Sequence, residues 1–403
     1  MPTDTTPPPK DDPPPEQDPS TGEPQPDSPD ISTVEPLPEL ADEPPGDGRP
    51  LVYDGTPGEL FRMGIKVTLL TGVTAGIYSF WGKTRIRQYL WGHQTLMGDR
   101  LTYTGTGKEL FLGFLIVMAV LVPVIMLITG IGFLAARYGQ FAQLIPTTIQ
   151  YIVFGYLLGV AIYLARRYRL SRTVWRGIRF GQTGSTMRYG ALFFGWLIAS
   201  ILTLGLINPL GNVQLQRIRM TNTWFGNRHF AFNGAARDIY LRWLLCWFLT
   251  PFTLGLSLLW YKFYELSYFV SKTHFQGLNF SMSIAKRDVV RFLLPLVVIY
   301  LVFVALGALG IFLYQWGVAN ESALISGISI GVISVLGLGI FLCGRALLLS
   351  VVVHRFLTMV AAKLTISGST DIDAVLQNMT ELAQTGEGLA SALDVGVGFD
   401  LGL

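Results

Sequence analysis

Histidine, cysteine and carboxylate side chains are where chemistry would have to begin, and their spacing gives little to build on. His93, His229, His274 and His354 are the four histidines. They form no His-x-x-x-His pair, and none stands at helical spacing from a glutamate, so no single helix carries a metal-ligand set. Cys246 and Cys343 lie inside apolar runs. Two cysteines are too few for a disulfide framework or a cysteine-based zinc site, and both read as small core residues. Neither a P-loop nor a Gly-x-Ser-x-Gly turn occurs. The sequence therefore predicts no catalytic residue, no cofactor and no metal, and it argues against an enzyme.

Charge set within apolar sequence is the stronger lead, because ionised groups in hydrocarbon are costly and concentrate at functional sites. Arg62 and Lys66 lie in the first apolar run, Arg242 near the start of the fifth, Arg345 well inside the last, and Glu265 just beyond the fifth. These five are the candidate intramembrane polar site, with Glu265 the expected partner of one of the cations. Snorkelling to the interface is the competing explanation for Arg62, Lys66 and Arg242; Arg345 has apolar sequence on both sides. Arg166, Arg167, Arg169, Arg172, Arg176 and Arg179 form a dense basic cluster, expected to contact anionic lipid headgroups at about 1 kcal/mol per basic residue. Nucleic acid is not expected, since the positive-inside rule alone predicts such clusters. Glu59, Glu109, Asp238 and Asp288 stand at predicted helix starts, where carboxylates cap and complement the helix dipole.

The elements that must position these residues are membrane helices. Half of the 403 residues are hydrophobic and 14% are charged, against about 25% in soluble domains. The net charge of +3 conceals three regions. Residues 1–50 carry −11 and 16 of the 22 prolines, residues 51–370 carry +20, and residues 371–403 carry −6. The first stretch has too little apolar surface to offset the entropy of ordering and is predicted to be a disordered acidic, proline-rich tail. The last is predicted to be an acidic tail with one short helix. With no basic region and no apolar stretch in its opening residues, the sequence predicts no secretory signal peptide. Between the tails, runs at 110–136, 145–165, 292–316 and 323–353 are long and apolar enough to span a bilayer. Three more runs, at 60–81, 189–210 and 239–260, are each interrupted by a Thr-x-Gly: Thr74 with Gly76, Thr203 with Gly205, and Thr253 with Gly255. Glycine weakens a helix, and Asn208-Pro209 adds a second break in the middle copy.

A second motif recurs behind these runs. Threonine, glycine three or four residues later and then an apolar residue appear at Thr95 and Gly98, at Thr173 and Gly177, at Thr223 and Gly226, and at Thr273 and Gly277. A degenerate fifth copy ends at Gly368, and residues 51–58 resemble the second half of a copy. The alternation around each glycine predicts a short β-hairpin. An isolated hairpin is only marginally stable, so the cassettes are expected to pair with one another or to pack on the membrane surface. The predicted fold class is thus an α-helical polytopic membrane protein with β-hairpin cassettes between its helices. If all seven apolar runs cross, successive cassettes fall on opposite faces. If the three interrupted runs are broken or re-entrant, every cassette falls on one face and Arg137 is the one cation left on the other. The second arrangement is favoured because it follows the positive-inside rule.

The stretch from Thr74 through Trp81 and Lys83 to Tyr89, followed by Thr95 to Tyr103, resembles the DUF898, or YjgN-like, family of bacterial inner-membrane proteins of unknown function. The likeness continues through Thr223 to Gly234, Thr253 to Leu256, and Gly386 to Asp394. It implies a multi-pass inner-membrane protein and brings no catalytic residues; the charge distribution places most loops and both tails on the cytoplasmic side. The middle copy departs from the pattern at Ile207-Asn208-Pro209. Transport or binding of a small or amphipathic, lipid-like ligand through the broken helices is the expected function, by analogy with transporters built on discontinuous helices. The alternative is a membrane scaffold whose cytoplasmic cassettes bind partners.

Overall fold

The computed structural model describes residues 50–368 and Val375. Apart from Pro50 and Val375, the two predicted tails lie outside the described residues.

The four predicted spans are long helices: α3 (Gly107–Ala135), α4 (Gln140–Ser171), α9 (Lys286–Ala319) and α10 (Ala323–Leu347). The last passes through a π-helical stretch, Leu348–Val353, into α11 (His354–Lys363). Among the described residues these four runs are long and apolar enough to cross a membrane. Their outward side chains, such as Leu112, Val120, Leu301 and Ile340, are apolar and exposed, as a lipid-facing surface requires. Thr106 and Ser322 cap α3 and α10 by accepting from the backbone N–H of Glu109 and Ile325.

Each interrupted run is two helices: α1 (Pro57–Val73) and α2 (Ser79–Gly92), α5 (Thr186–Leu202) and α6 (Asn208–Thr221), α7 (Arg237–Leu249) and α8 (Leu256–Ser271). Helices of 13 to 17 residues reach about 20–26 Å at 1.5 Å per residue, short of the roughly 30 Å hydrocarbon core. One turn geometry serves all three. The residue between threonine and glycine is left-handed (φ 48° at Ala75, 51° at Leu204, 48° at Leu254), and so is the glycine. Two successive left-handed residues strain any side chain, which is why glycine holds the second place. The threonine hydroxyl donates back to the carbonyl four residues earlier, at Leu70, Ala199 and Leu249. In the first and third copies it also accepts the N–H that starts the next helix, from Tyr78 and Ser257. The middle copy substitutes Pro209 in the first turn of α6, with Asn208 Oδ1 accepting from Ser200 Oγ at 2.5 Å. Its divergent sequence thus makes the same turn by different means.

The cassettes are β-hairpins, and they do pair with one another. Among the described residues there are twelve short strands: β1 (Leu51–Tyr53), β2 (Gln94–Leu96), β3 (Asp99–Arg100), β4 (Thr102–Tyr103), β5 (Thr173–Trp175), β6 (Ile178–Gln182), β7 (Thr223–Phe225), β8 (Arg228–His229), β9 (Ala231–Phe232), β10 (Thr273–Phe275), β11 (Leu278–Met282) and β12 (Leu364–Ser367). They form sheets in the orders β1-β2-β3, β4-β5-β6-β7-β8 and β9-β10-β11-β12, antiparallel throughout. Single residues, Leu101 and Phe230, separate β3 from β4 and β8 from β9. Each stretch pairs within its own cassette through its first half and with the next cassette through its second. The glycines set the tight turns. Met97-Gly98, Arg176-Gly177 and Gln276-Gly277 have positive φ at both central residues, as type I′ hairpin turns require. In the third cassette the glycine comes first, and only Gly226 is left-handed.

An antiparallel meander sends alternate connections to opposite ends of its strands. Here the connections alternate strictly between a two-residue glycine turn and a helical hairpin. Every helical hairpin, long or short, therefore leaves and rejoins the sheets at one end, and the glycine turns lie at the other. Every cassette contributes to one apolar cluster, through Leu96, Trp175, Phe225, Phe275 and Ile366, and Val375 is buried within it. Phe225 is 1% exposed, with ring centroids of Phe180 and Trp175 at 4.6 and 5.3 Å. The predicted degenerate copy supplies β12, and residues 51–53 supply β1, the two outermost strands.

Candidate functional site

The roots of the helical hairpins, where helices meet sheet, hold most of the organised polar chemistry. Carboxylates at three helix starts are each gripped by a tyrosine near the end of the returning helix. Tyr89 donates to Glu59 at 2.6 Å, Tyr168 to Glu109 at 2.7 Å and Tyr268 to Asp238 at 2.7 Å. The same hydroxyls of Tyr89 and Tyr268 accept from the backbone N–H groups of Thr56 and Ala235. Asp288, at the start of α9, pairs instead with Lys363 at the end of α11, at 3.0 Å. Four of the five hairpins are thus closed at the root. The exception is α5–α6, where Ile218 occupies the tyrosine's place, five residues before the cassette threonine. The bond from Tyr89 holds the Glu59 carboxyl below its ordinary range. Burial, then the bond to Asp238, pushes the Tyr268 phenol up to about 12. These carboxylates were expected to cap helices; they also fasten each hairpin shut.

Glu265 is buried, and its partners differ from those expected. One carboxylate oxygen accepts from Asn212 on α6 at 2.8 Å and the other from Lys262, one turn earlier on α8, at 2.7 Å. The lysine is on the same helix face and its side chain is more than half exposed. The contact joins the second and third short hairpins. Tyr261 beside it is fully buried, and its hydroxyl has no hydrogen-bond partner among the described residues. Asn212→Ala would leave a buried carboxylate oxygen without its donor. The expected cost is about 1–3 kcal/mol, read as a lower melting temperature of the detergent-solubilised protein. An unchanged melting temperature would show that α6 and α8 are held together by packing alone.

The five predicted intramembrane charges do not converge on one site. Arg62 and Lys66 are exposed on α1, and exposed Arg242 on α7 lies 4.1 Å above the Tyr264 ring, a cation–π contact within its hairpin. Arg345 stands in the last turn of α10, next to Ala346, where α10 crosses α1 so closely that Gly64 has no room for a side chain. Gly64 is about 10 Å of helical rise from the root of α1. The apolar run of which Arg345 is part continues through the π-helical stretch into α11.

The arginine cluster is also divided. Arg166, Arg169 and Arg172 follow one another at three-residue spacing along one face of α4 and are buried. Arg166 donates to Gln182 at 2.9 Å and Thr223 at 2.8 Å, tying β6 to β7, and Arg172 pairs with Glu109 at 3.1 Å. Arg176, in a glycine turn, pairs with Asp99 at 2.5 Å and lies over Trp175. With Arg179 on the adjoining strand, it belongs to the end of the sheet away from the helical hairpins. Only Arg167 is left at the helix roots with a partly exposed side chain, so the cluster does not present one lipid-facing patch. Among the histidines, His93 bonds the Tyr89 carbonyl and stacks on its ring, and His274 bonds Asn279.

Sequence reasoning missed Asn212, Lys262 and the clamping tyrosines. The one signal available was the recurrence of tyrosine five or six residues before a cassette threonine, at Tyr89, Tyr168 and Tyr268.

Comparison with known proteins places these features in context. A family model described as a bacterial protein of unknown function (DUF898) matches residues 49–249 and again residues 229–353. A Salmonella typhimurium (strain LT2) protein named inner membrane protein YjgN is 26% identical over an alignment of 210 residues that covers 44% of this chain and 49% of that protein. The chain thus spans about half the length of the curated relative it matches. No solved structure matches.

Proposed function

The chain belongs to the DUF898 family and is a multi-pass inner-membrane protein, and from that premise we propose that it binds amphipathic, lipid-class molecules in the leaflet adjoining its sheets. The observation that carries this reading is that each short hairpin starts and ends at the same end of the sheets while its tip is apolar and exposed, at Val73, Leu204 and Leu254. Such a hairpin dips into the bilayer and returns. The usual objection to a broken helix in lipid is its freed backbone groups. Here Gly76, Gly205 and Gly255 donate to the carbonyls of Thr71, Ser200 and Thr250, so the turns carry their own partners.

The charge distribution supports a cytoplasmic position for the sheets. Among the described residues, Arg137 is the lone Lys or Arg at the far ends of the long hairpins, and most of the remaining cations lie toward the sheets, Lys66 of α1 and Lys262 of α8 being among those in the tip-side halves of their helices. A hairpin that ends within one leaflet leaves acyl chains beneath its tip. Three of them on one protein, beside two crossing hairpins, create recesses of one-leaflet depth lined by hydrocarbon, which suit an amphiphile lying parallel to its neighbours.

The test is lipid retention. Full-length protein extracted in mild detergent and washed through successive detergent exchange is expected to keep lipid in a fixed ratio to protein, measured by native mass spectrometry. Retention falling to the level of a single-span control would overturn the proposal.

A further inference from the structure

We propose that the cleft between α8 and α9 is a binding site for one anionic phospholipid, with an acyl chain along α9 and its phosphate at Lys286; this deepens the lipid-binding reading above. The cleft has a volume of about 520 Å³ and lies between the last re-entrant helix and the first helix of the following crossing pair. Its α8 wall is Leu256, Ser257 and Trp260, close to the hairpin tip, and its α9 wall includes Val290, Leu294 and Val297. Lys286 is the charged residue in the lining.

The order of these residues along the membrane normal matches an amphiphile. Lys286 is the first residue of α9, at the root beside β11, and Val297 is eleven residues further in. Eleven residues rise about 16 Å, roughly the depth of one leaflet. The cation therefore stands at headgroup level and the hydrocarbon wall below it. Residues 286, 290 and 294 repeat at one-turn spacing, so the wall is a single stripe of α9. Val290 and Leu294 are more than half exposed, which leaves the cleft open to the bilayer.

The charge at Lys286 favours an anionic headgroup over a zwitterionic one. Lys286 makes no hydrogen bond or ion pair among the described residues, and its nearest carboxylate in sequence, Asp288, is taken by Lys363 and by the backbone N–H of Ala285. A phosphate bearing a net negative charge supplies what is missing at the mouth of the cleft.

Full-length protein equilibrated with vesicles of equal phosphatidylglycerol and phosphatidylethanolamine, then analysed by native mass spectrometry, tests the assignment. Wild-type protein is expected to retain phosphatidylglycerol preferentially. Lys286→Glu should reduce that preference by at least about fivefold, the factor equivalent to one basic residue at an anionic surface, and Lys286→Arg should keep it. Val290→Trp, which fills the cleft from a lipid-exposed position, should lower retention of both lipids without changing the melting temperature. Retained lipid that is indifferent to Lys286→Glu and Val290→Trp overturns the cleft assignment and leaves the wider reading standing. Loss of all lipid from the wild type overturns both.

Discussion

Leu254→Asp is expected to destabilise the bilayer-reconstituted protein by about 2 kcal/mol, although the same change in a water-exposed turn would stabilise it. Leu254 is 94% exposed and left-handed, with φ 48°. In water the substitution would remove an exposed leucine and place in the left-handed region a residue that tolerates it, relieving about 1 kcal/mol of strain. In hydrocarbon an aspartate near the bilayer centre costs about 3 kcal/mol, which outweighs the relief. The sign of the effect therefore distinguishes a tip buried in lipid from one in solvent. Leu254→Gly relieves the strain without adding charge and should be neutral or stabilising in either setting. Thermal unfolding in nanodiscs measures both, and a higher melting temperature for Leu254→Asp would place the tip outside the hydrocarbon.

Phe225→Ala should cost about 3–5 kcal/mol, the usual range for a large aromatic removed from a packed core. The loss should be felt across the whole protein because of what Phe225 touches. Its ring packs on Phe180 and Trp175 from the second cassette and on Phe275 from the fourth, so a single truncation opens contacts between three cassettes. Limited proteolysis should then cut at the polar junctions between strands and helices, around residues 183–185 and 233–236, well below the wild-type melting temperature. Phe225→Leu, which keeps most of the volume, should lose far less. Wild-type melting of Phe225→Ala would mean that the cassettes are held by strand pairing and helix packing without a common core.

The parts of this fold that could be read from sequence are those with a local chemical requirement. Gly76, Gly205 and Gly255 are needed because each turn requires a second left-handed residue, and Gly98, Gly177 and Gly277 because type I′ turns do. Hydrocarbon length likewise makes α3, α4, α9 and α10 legible. The polar sites were harder to read because their partners are distant. Tyr168 and Glu109 are 59 residues apart, and nothing near either names the other. Glu265 takes a partner, Asn212, whose amide carries no charge signal. Arg166, Arg169 and Arg172 read as surface because arginine usually is. Their three-residue spacing along α4 was the available hint that one face turns inward, toward Gln182, Thr223 and Glu109.

The alternation of glycine turns with helical hairpins has a consequence for biogenesis. Every helical hairpin leaves and rejoins the sheets at one end, so under the proposed re-entrant arrangement each excursion leaves the orientation of the remaining chain unchanged. During insertion no helix has to wait for a later one to fix its direction, and an excursion could be lengthened, shortened or duplicated without inverting anything downstream. In that arrangement the difference between a hairpin that crosses and one that only dips is a matter of length, and both kinds share one set of strands.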